Sequence, residues 1–75
     1  MTQKIPVLKP LEVIRALEKA GFRIIRHTGS HAILWKKGLL RPIPIPLHPG
    51  EIKRGLLSKI IKEAGFTEEQ FIPFL

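Results

Sequence analysis

The residues in this chain that can move protons or hold phosphate are three histidines, a serine and a set of lysines and arginines. His27 and His31 flank Thr28-Gly29-Ser30 in RHTGSHAILWKK (residues 26–37), and His48 precedes Pro49-Gly50. A positioned imidazole can contribute on the order of 10²–10⁴-fold as a general acid or base near neutral pH. Other chemistries find little support. There is no Cys and no Asp, so a catalytic metal lacks ligand density, and no HExxH or paired-carboxylate pattern occurs. Ser30 sits beside His31, but adjacent strand residues point to opposite faces, and no Asp is present to orient the imidazole. A P-loop and a dinucleotide fingerprint are both missing. What remains is imidazole, with basic groups, acting on a phosphodiester. RNA makes this feasible with no metal or cofactor, because its own 2′-hydroxyl is a nucleophile placed beside the scissile phosphate. The protein must then move protons and stabilise added phosphate charge, which Lys and Arg can do. DNA has no such hydroxyl.

Composition agrees with a polyanionic partner. The chain has 75 residues, 44% of them apolar, enough for one domain with one core. Its 13 Lys and Arg outnumber six acids, all Glu. The acids are unevenly placed. Residues 1–62 carry all 13 basic groups against Glu12, Glu18 and Glu51, a net of +10; residues 63–75 carry Glu63, Glu68 and Glu69, a net of −3. A small body this basic attracts nucleic acid or an acidic protein through its summed field. The lack of Cys fits a reducing compartment. No apolar run approaches the ~20 residues of a membrane span, and MTQKIPVLKP has no signal-peptide stretch, so the expected location is the cytoplasm.

The elements that must position these groups can be read in order. Residues 1–9 read as a loosely held arm. Pro10 suits a helix first turn, and Leu11, Val13, Ile14, Leu17 and Ala20 have helical spacing up to Gly21, a C-terminal cap. Phe22–His27 and His31–Lys36 are β-type runs. Thr28-Gly29-Ser30 between them suggests a tight hairpin with positive φ at the glycine. In RPIPIPL (residues 41–47) prolines alternate with Ile43, Ile45 and Leu47. The missing donors then fall on one side only, giving an edge strand with its proline side outward; a polyproline-II segment is the alternative. A second helix is expected from Glu51 or Ile52 to Ala64, with Ile52, Leu56, Leu57, Ile60, Ile61 and Ala64 as its apolar face and Gly65 as its cap. Thr67-Glu68-Glu69-Gln70 has the capping-box pattern of a short third helix pinned by Phe71, Phe74 and Leu75. Helix, three antiparallel strands and helix make an α+β two-layer domain.

Gly29-Ser30-His31 follows a helix and a Gly21-Phe22 strand start. Downstream comes P.HPG.IK.G.L..I.K.AG, from Pro46 and His48 through Lys53, Gly55, Leu57, Ile60, Lys62, Ala64 and Gly65. This pattern resembles the HicA-type mRNA interferase toxins, also called YcfA-like, over about residues 8–66. The resemblance implies a double-stranded-RNA-binding-domain-like α-β-β-β-α fold in a single domain, residues 1–75, with residues 67–75 as a short extension. It also implies a small ribonuclease that cleaves mRNA as the toxin of a type II toxin–antitoxin pair, neutralised by a HicB-type antitoxin. The family's catalytic histidine falls on His31. His48 matches the family's downstream histidine, whose role is less defined, and His27 has no counterpart. The proline-rich third strand and the acidic tail depart from the family pattern without touching the motif.

Without that resemblance His31 would read as a hairpin histidine with a satisfied hydrogen bond. Ser30 is a turn-stabilising hydroxyl or a phosphate donor. If the loop is three residues long, His27 and His31 are cross-strand partners, with Cβ atoms roughly 4.5–5.5 Å apart, and could divide acid and base roles; a bulge would break that pairing. His48 is a candidate auxiliary group or a loop residue. Arg26, Lys36, Lys37, Lys53, Arg54 and Lys59 are candidate phosphate contacts. Trp35 stacks a base or packs against core or partner. The rival functions are an RNA-binding module of the same fold without catalysis, and a protein that binds an acidic partner and never RNA.

Overall fold

Pro10 opens α1 (Pro10–Lys19) in the computed structural model, which describes residues 5–75. The backbone N–H of Lys9, just outside the helix, donates to Glu12 Oε1 at 2.8 Å. That carboxylate also suits the positive end of the helix dipole. Val13, Ile14, Ala16 and Leu17 are buried. Leu11, expected in the same stripe, is 55% exposed, because it lies roughly 200° around the helix from Val13. Gly21, at φ +101°, turns the chain out of the helix.

Three strands follow, β1 (Arg23–His27), β2 (His31–Trp35) and β3 (Ile43–Pro46), in the antiparallel order β1-β2-β3. Ala32, Leu34, Ile43 and Ile45 are at most 1% exposed and join Leu17, Leu57, Ile60 and Ile61 in the core. The helices therefore cover one face of the sheet. The resulting two-layer α+β arrangement of helix, three-stranded sheet and helix is the one the sequence implies.

The β3 prolines behave as expected. Leu47 N–H donates to Ser30 O at 2.7 Å. By strand alternation, the donors of Ile43 and Ile45 also point toward β2, leaving Pro44 and Pro46 to present no N–H at the outer edge. This edge cannot template another strand.

α2 (Arg54–Glu63) starts later than expected. Ile52 instead forms a bridge with Leu8, its N–H donating to Leu8 O at 2.8 Å. The same contact corrects the expectation of a loose arm. Ile5 and Leu8 are 3% and 5% exposed and belong to the core, while residues 1–4 lie outside the described residues. Leu56 is 38% exposed, off the buried stripe of α2. Gly65 caps the helix at φ +91°. The Thr67–Gln70 capping box then starts α3 (Glu68–Phe71): Gln70 N–H donates to Thr67 Oγ1 at 3.2 Å and Thr67 N–H to Gln70 Oε1 at 2.9 Å. A 3₁₀ turn, Ile72–Phe74, ends the chain's regular structure. Phe71 is fully buried, so this short tail is part of the core packing. Among the described residues no helix is long and apolar enough to cross a membrane.

Candidate active site

No polar or charged side chain is buried among the described residues. Any chemistry therefore takes place on the surface, and the sheet register decides which groups share a face. Near its start β1 pairs as a three-residue loop requires, with Arg23 opposite Trp35 and Ile24 opposite Leu34. A bulge at Ile25 then inserts one residue. Beyond it Arg26 faces Ile33 and His27 faces Ala32. His27 and His31 are thus not cross-strand partners. Ala32 points into the core, so His27 lies on the helix side of the sheet and His31 on the other.

The hairpin closes on Thr28 and His31. Thr28 N–H donates to His31 O at 2.9 Å. His31 N–H donates to the Thr28 hydroxyl at 3.0 Å, so a side-chain oxygen does the work of a turn carbonyl. Gly29, expected at positive φ, does not adopt it; with Thr28 as acceptor the bend needs no left-handed residue. His31 sits at the first position of β2, half-buried. Its Nδ1 shares a hydrogen bond with Ser30 Oγ at 2.9 Å. Whichever of the two donates, the ring is oriented through Nδ1. Nε2 has no hydrogen-bond partner among the described residues.

His48 shares this end of the sheet, because Leu47 lies opposite Ser30. Its Nδ1–H donates to Pro49 O at 3.1 Å, and it lines a shallow cleft of about 310 Å³ with Leu47, Pro10 and Leu11. The side chain thus lies beside the start of α1.

The basic candidates divide into three groups. Arg26 and Lys37 are exposed on and just beyond the strands. Lys36 is engaged within the fold: its ammonium donates to Ala20 O at 3.3 Å and lies over the rings of Phe22 and Phe66, 5.3 and 5.6 Å from their centroids. Lys53, Arg54 and Lys59 belong to the helix layer, where Arg54 Nη1 donates to Ile5 O at 3.1 Å. Trp35 is outside the core cluster, on the same face as His31, with its indole N–H donating to Leu39 O at 2.9 Å. Arg23, which the sequence does not single out, lies directly across from Trp35; its strand position is legible in the sequence, but the register that pairs the two is not. No three His or Glu side chains gather as a metal site among the described residues.

A family model described as the HicA toxin of bacterial toxin–antitoxin systems matches residues 11–66. No curated protein matches the chain in sequence. The matched span runs from the first turn of α1 to the residue after Gly65 and includes Gly29-Ser30-His31. The chain belongs to the HicA toxin family of bacterial toxin–antitoxin systems.

Proposed function

We propose that this toxin is a metal-independent endoribonuclease that cleaves mRNA with His31 as its proton-transfer group. The observation that carries the proposal is the anchored imidazole. His31 is fixed by its backbone to Thr28 and through Nδ1 to Ser30, and Nε2 has no hydrogen-bond partner among the described residues. In the proposed step the substrate's O2′ bonds to phosphorus as its proton departs, the P–O5′ bond breaks, and O5′ leaves with a proton. Products are a 2′,3′-cyclic phosphate and a 5′-hydroxyl. Nε2 of His31 takes the first proton or gives the second. Because the substrate brings its own nucleophile, no metal is required to generate one.

Arg26 and Lys37 hold phosphates on the strand side, and Lys53 and Lys59 add to the attractive field from the helix layer. Family membership implies a cognate antitoxin. We assign it to the HicB type and place it over the basic face that carries His31, consistent with a cytoplasmic pair.

The test is cleavage of RNA in EDTA by purified toxin, beside the same RNA with the scissile 2′-hydroxyl replaced by hydrogen. Cleavage of the first and not of the second is expected. Loss of cleavage in EDTA would contradict metal independence, and cleavage of the deoxy substrate would rule out internal attack. Binding without cleavage of either would leave an RNA-binding module.

A further inference from the structure

His31 stands at one end of a sheet face that no helix among the described residues covers. β2 is regular, so Ile33 and Trp35 share that face with it. Ile33 is 9% exposed yet lies outside the core cluster. It forms an apolar floor between its cross-strand neighbours, Arg26 on β1 and Pro44 on β3. At the far end Arg23 is directly opposite Trp35. The two line a recess of about 510 Å³ together with Gly21, Lys36 and Lys37, the Lys36 ammonium being held by Ala20 O. The indole N–H is held by Leu39 O at 2.9 Å, which fixes the plane of the ring.

The charge on this face has one sign. Between Lys19 and Gly50 the chain contains no Asp or Glu, while Arg23 and Arg26 lie on this face and Lys37 borders its far end. Carboxylates are therefore absent from every strand. A cationic, aromatic-bearing surface with an apolar floor complements a chain of phosphates and unpaired bases. A duplex offers no free base face to an indole, whereas a single strand does.

Given the proposed ribonuclease, we propose that the open sheet face is a track for single-stranded RNA, running from His31 to a terminal subsite where Trp35 stacks one base and Arg23 holds its phosphate. Four residue steps along β2 separate the two ends, about 13 Å at the usual strand rise. A stacked strand at ~3.4 Å per nucleotide covers that span with about four nucleotides. Arg23 and Trp35 are positioning residues, and the chemistry stays at His31.

Trp35 is the only tryptophan and there is no tyrosine, so its fluorescence reports the subsite directly. The toxin is titrated with a non-cleavable single-stranded 2′-O-methyl RNA, with the same RNA as a duplex, and with polyglutamate. Binding is followed in parallel by anisotropy of a labelled strand, and cleavage of unmodified RNA is measured separately. Saturable quenching by the single strand is expected, with much weaker quenching by the duplex or polyglutamate. Oligonucleotides shorter than about four nucleotides should bind more weakly. Arg23→Gln, an exposed position that leaves the core intact, should lower the salt dependence of binding by about 0.7 in log–log slope. Trp35→Phe, which keeps an aromatic face, should retain most of the affinity, and Trp35→Ala should lose roughly 5- to 150-fold. If the single strand binds and is cleaved while Trp35 emission and the Arg23→Gln slope are unchanged, the track is wrong and the ribonuclease stands. Quenching by the single strand without cleavage of unmodified RNA would uphold the track and overturn the ribonuclease. Equal quenching by duplex or polyglutamate would overturn the single-strand assignment.

Discussion

Lys36→Met separates folding from RNA binding at a residue whose sequence position suggests a phosphate contact. In the structure its ammonium donates to Ala20 O, at the C-terminal end of α1. A cation there meets the negative end of the helix dipole. The same ammonium lies over the rings of Phe22 and Phe66. A hydrogen bond from a charged donor is worth ~1.5–3 kcal/mol, and a partly exposed cation–π contact ~0.5–1 kcal/mol. Lys36 is only half-buried, so water screens both, and methionine keeps the apolar stem against the rings. The expected net loss is about 1–2 kcal/mol. For a domain this size each kcal/mol moves Tm by roughly 4–8 °C, which puts the drop at roughly 5–15 °C. Thermal melting gives the stability, and salt-dependent RNA binding gives the contact. The account predicts a lower Tm with RNA affinity and salt slope unchanged below the melt. An unchanged Tm with a shallower salt slope would show that Lys36 holds phosphate and that its interior contacts contribute nothing.

Three further outcomes follow from the packing. Phe71→Ala empties a fully buried site and should cost about 3–5 kcal/mol in a denaturant melt, a large part of the roughly 4–11 kcal/mol expected for a chain this size; a loss below 1 kcal/mol would show that the C-terminal tail is dispensable to the core. Thr28→Val removes the hydroxyl that accepts His31 N–H. It should lower stability by about 0.5–1 kcal/mol, because water reaches the exposed turn, while reducing RNA cleavage more than RNA affinity. Pro44→Thr restores an outward N–H on β3, and sedimentation at high concentration should show self-association absent from the parent chain.

Local chemistry made much of the fold legible. Pro10, Gly21, Gly65 and the Thr67–Gln70 box mark helix ends because capping is decided by one or two residues. The alternation of Pro44 and Pro46 with isoleucines fixes which edge of β3 is free, since each proline removes a donor from a known side. What escaped the sequence is what tertiary contact decides. Ile25 has nothing in its type that announces a bulge, yet the inserted residue moves His27 from His31 to Ala32. Ile52 has helical spacing, but its pairing with Leu8 holds it outside α2 and draws the N-terminal segment into the core. Leu11 fits an apolar pattern and still faces outward. The Gly-Ser-His motif was visible as a motif. That Thr28 and Ser30 brace His31 from two sides depends on the turn's geometry, and Gly29 itself contributes no left-handed φ.

The most direct test of the central claim is RNA cleavage by the toxin beside its His31→Ala variant, with RNA binding and thermal stability measured on both. His31 is half-buried and makes its backbone bonds without its ring, so the variant should fold and bind RNA. Its cleavage rate should fall by about 10²–10⁴-fold. A folded variant that cleaves RNA at the parent rate would contradict proton transfer by His31.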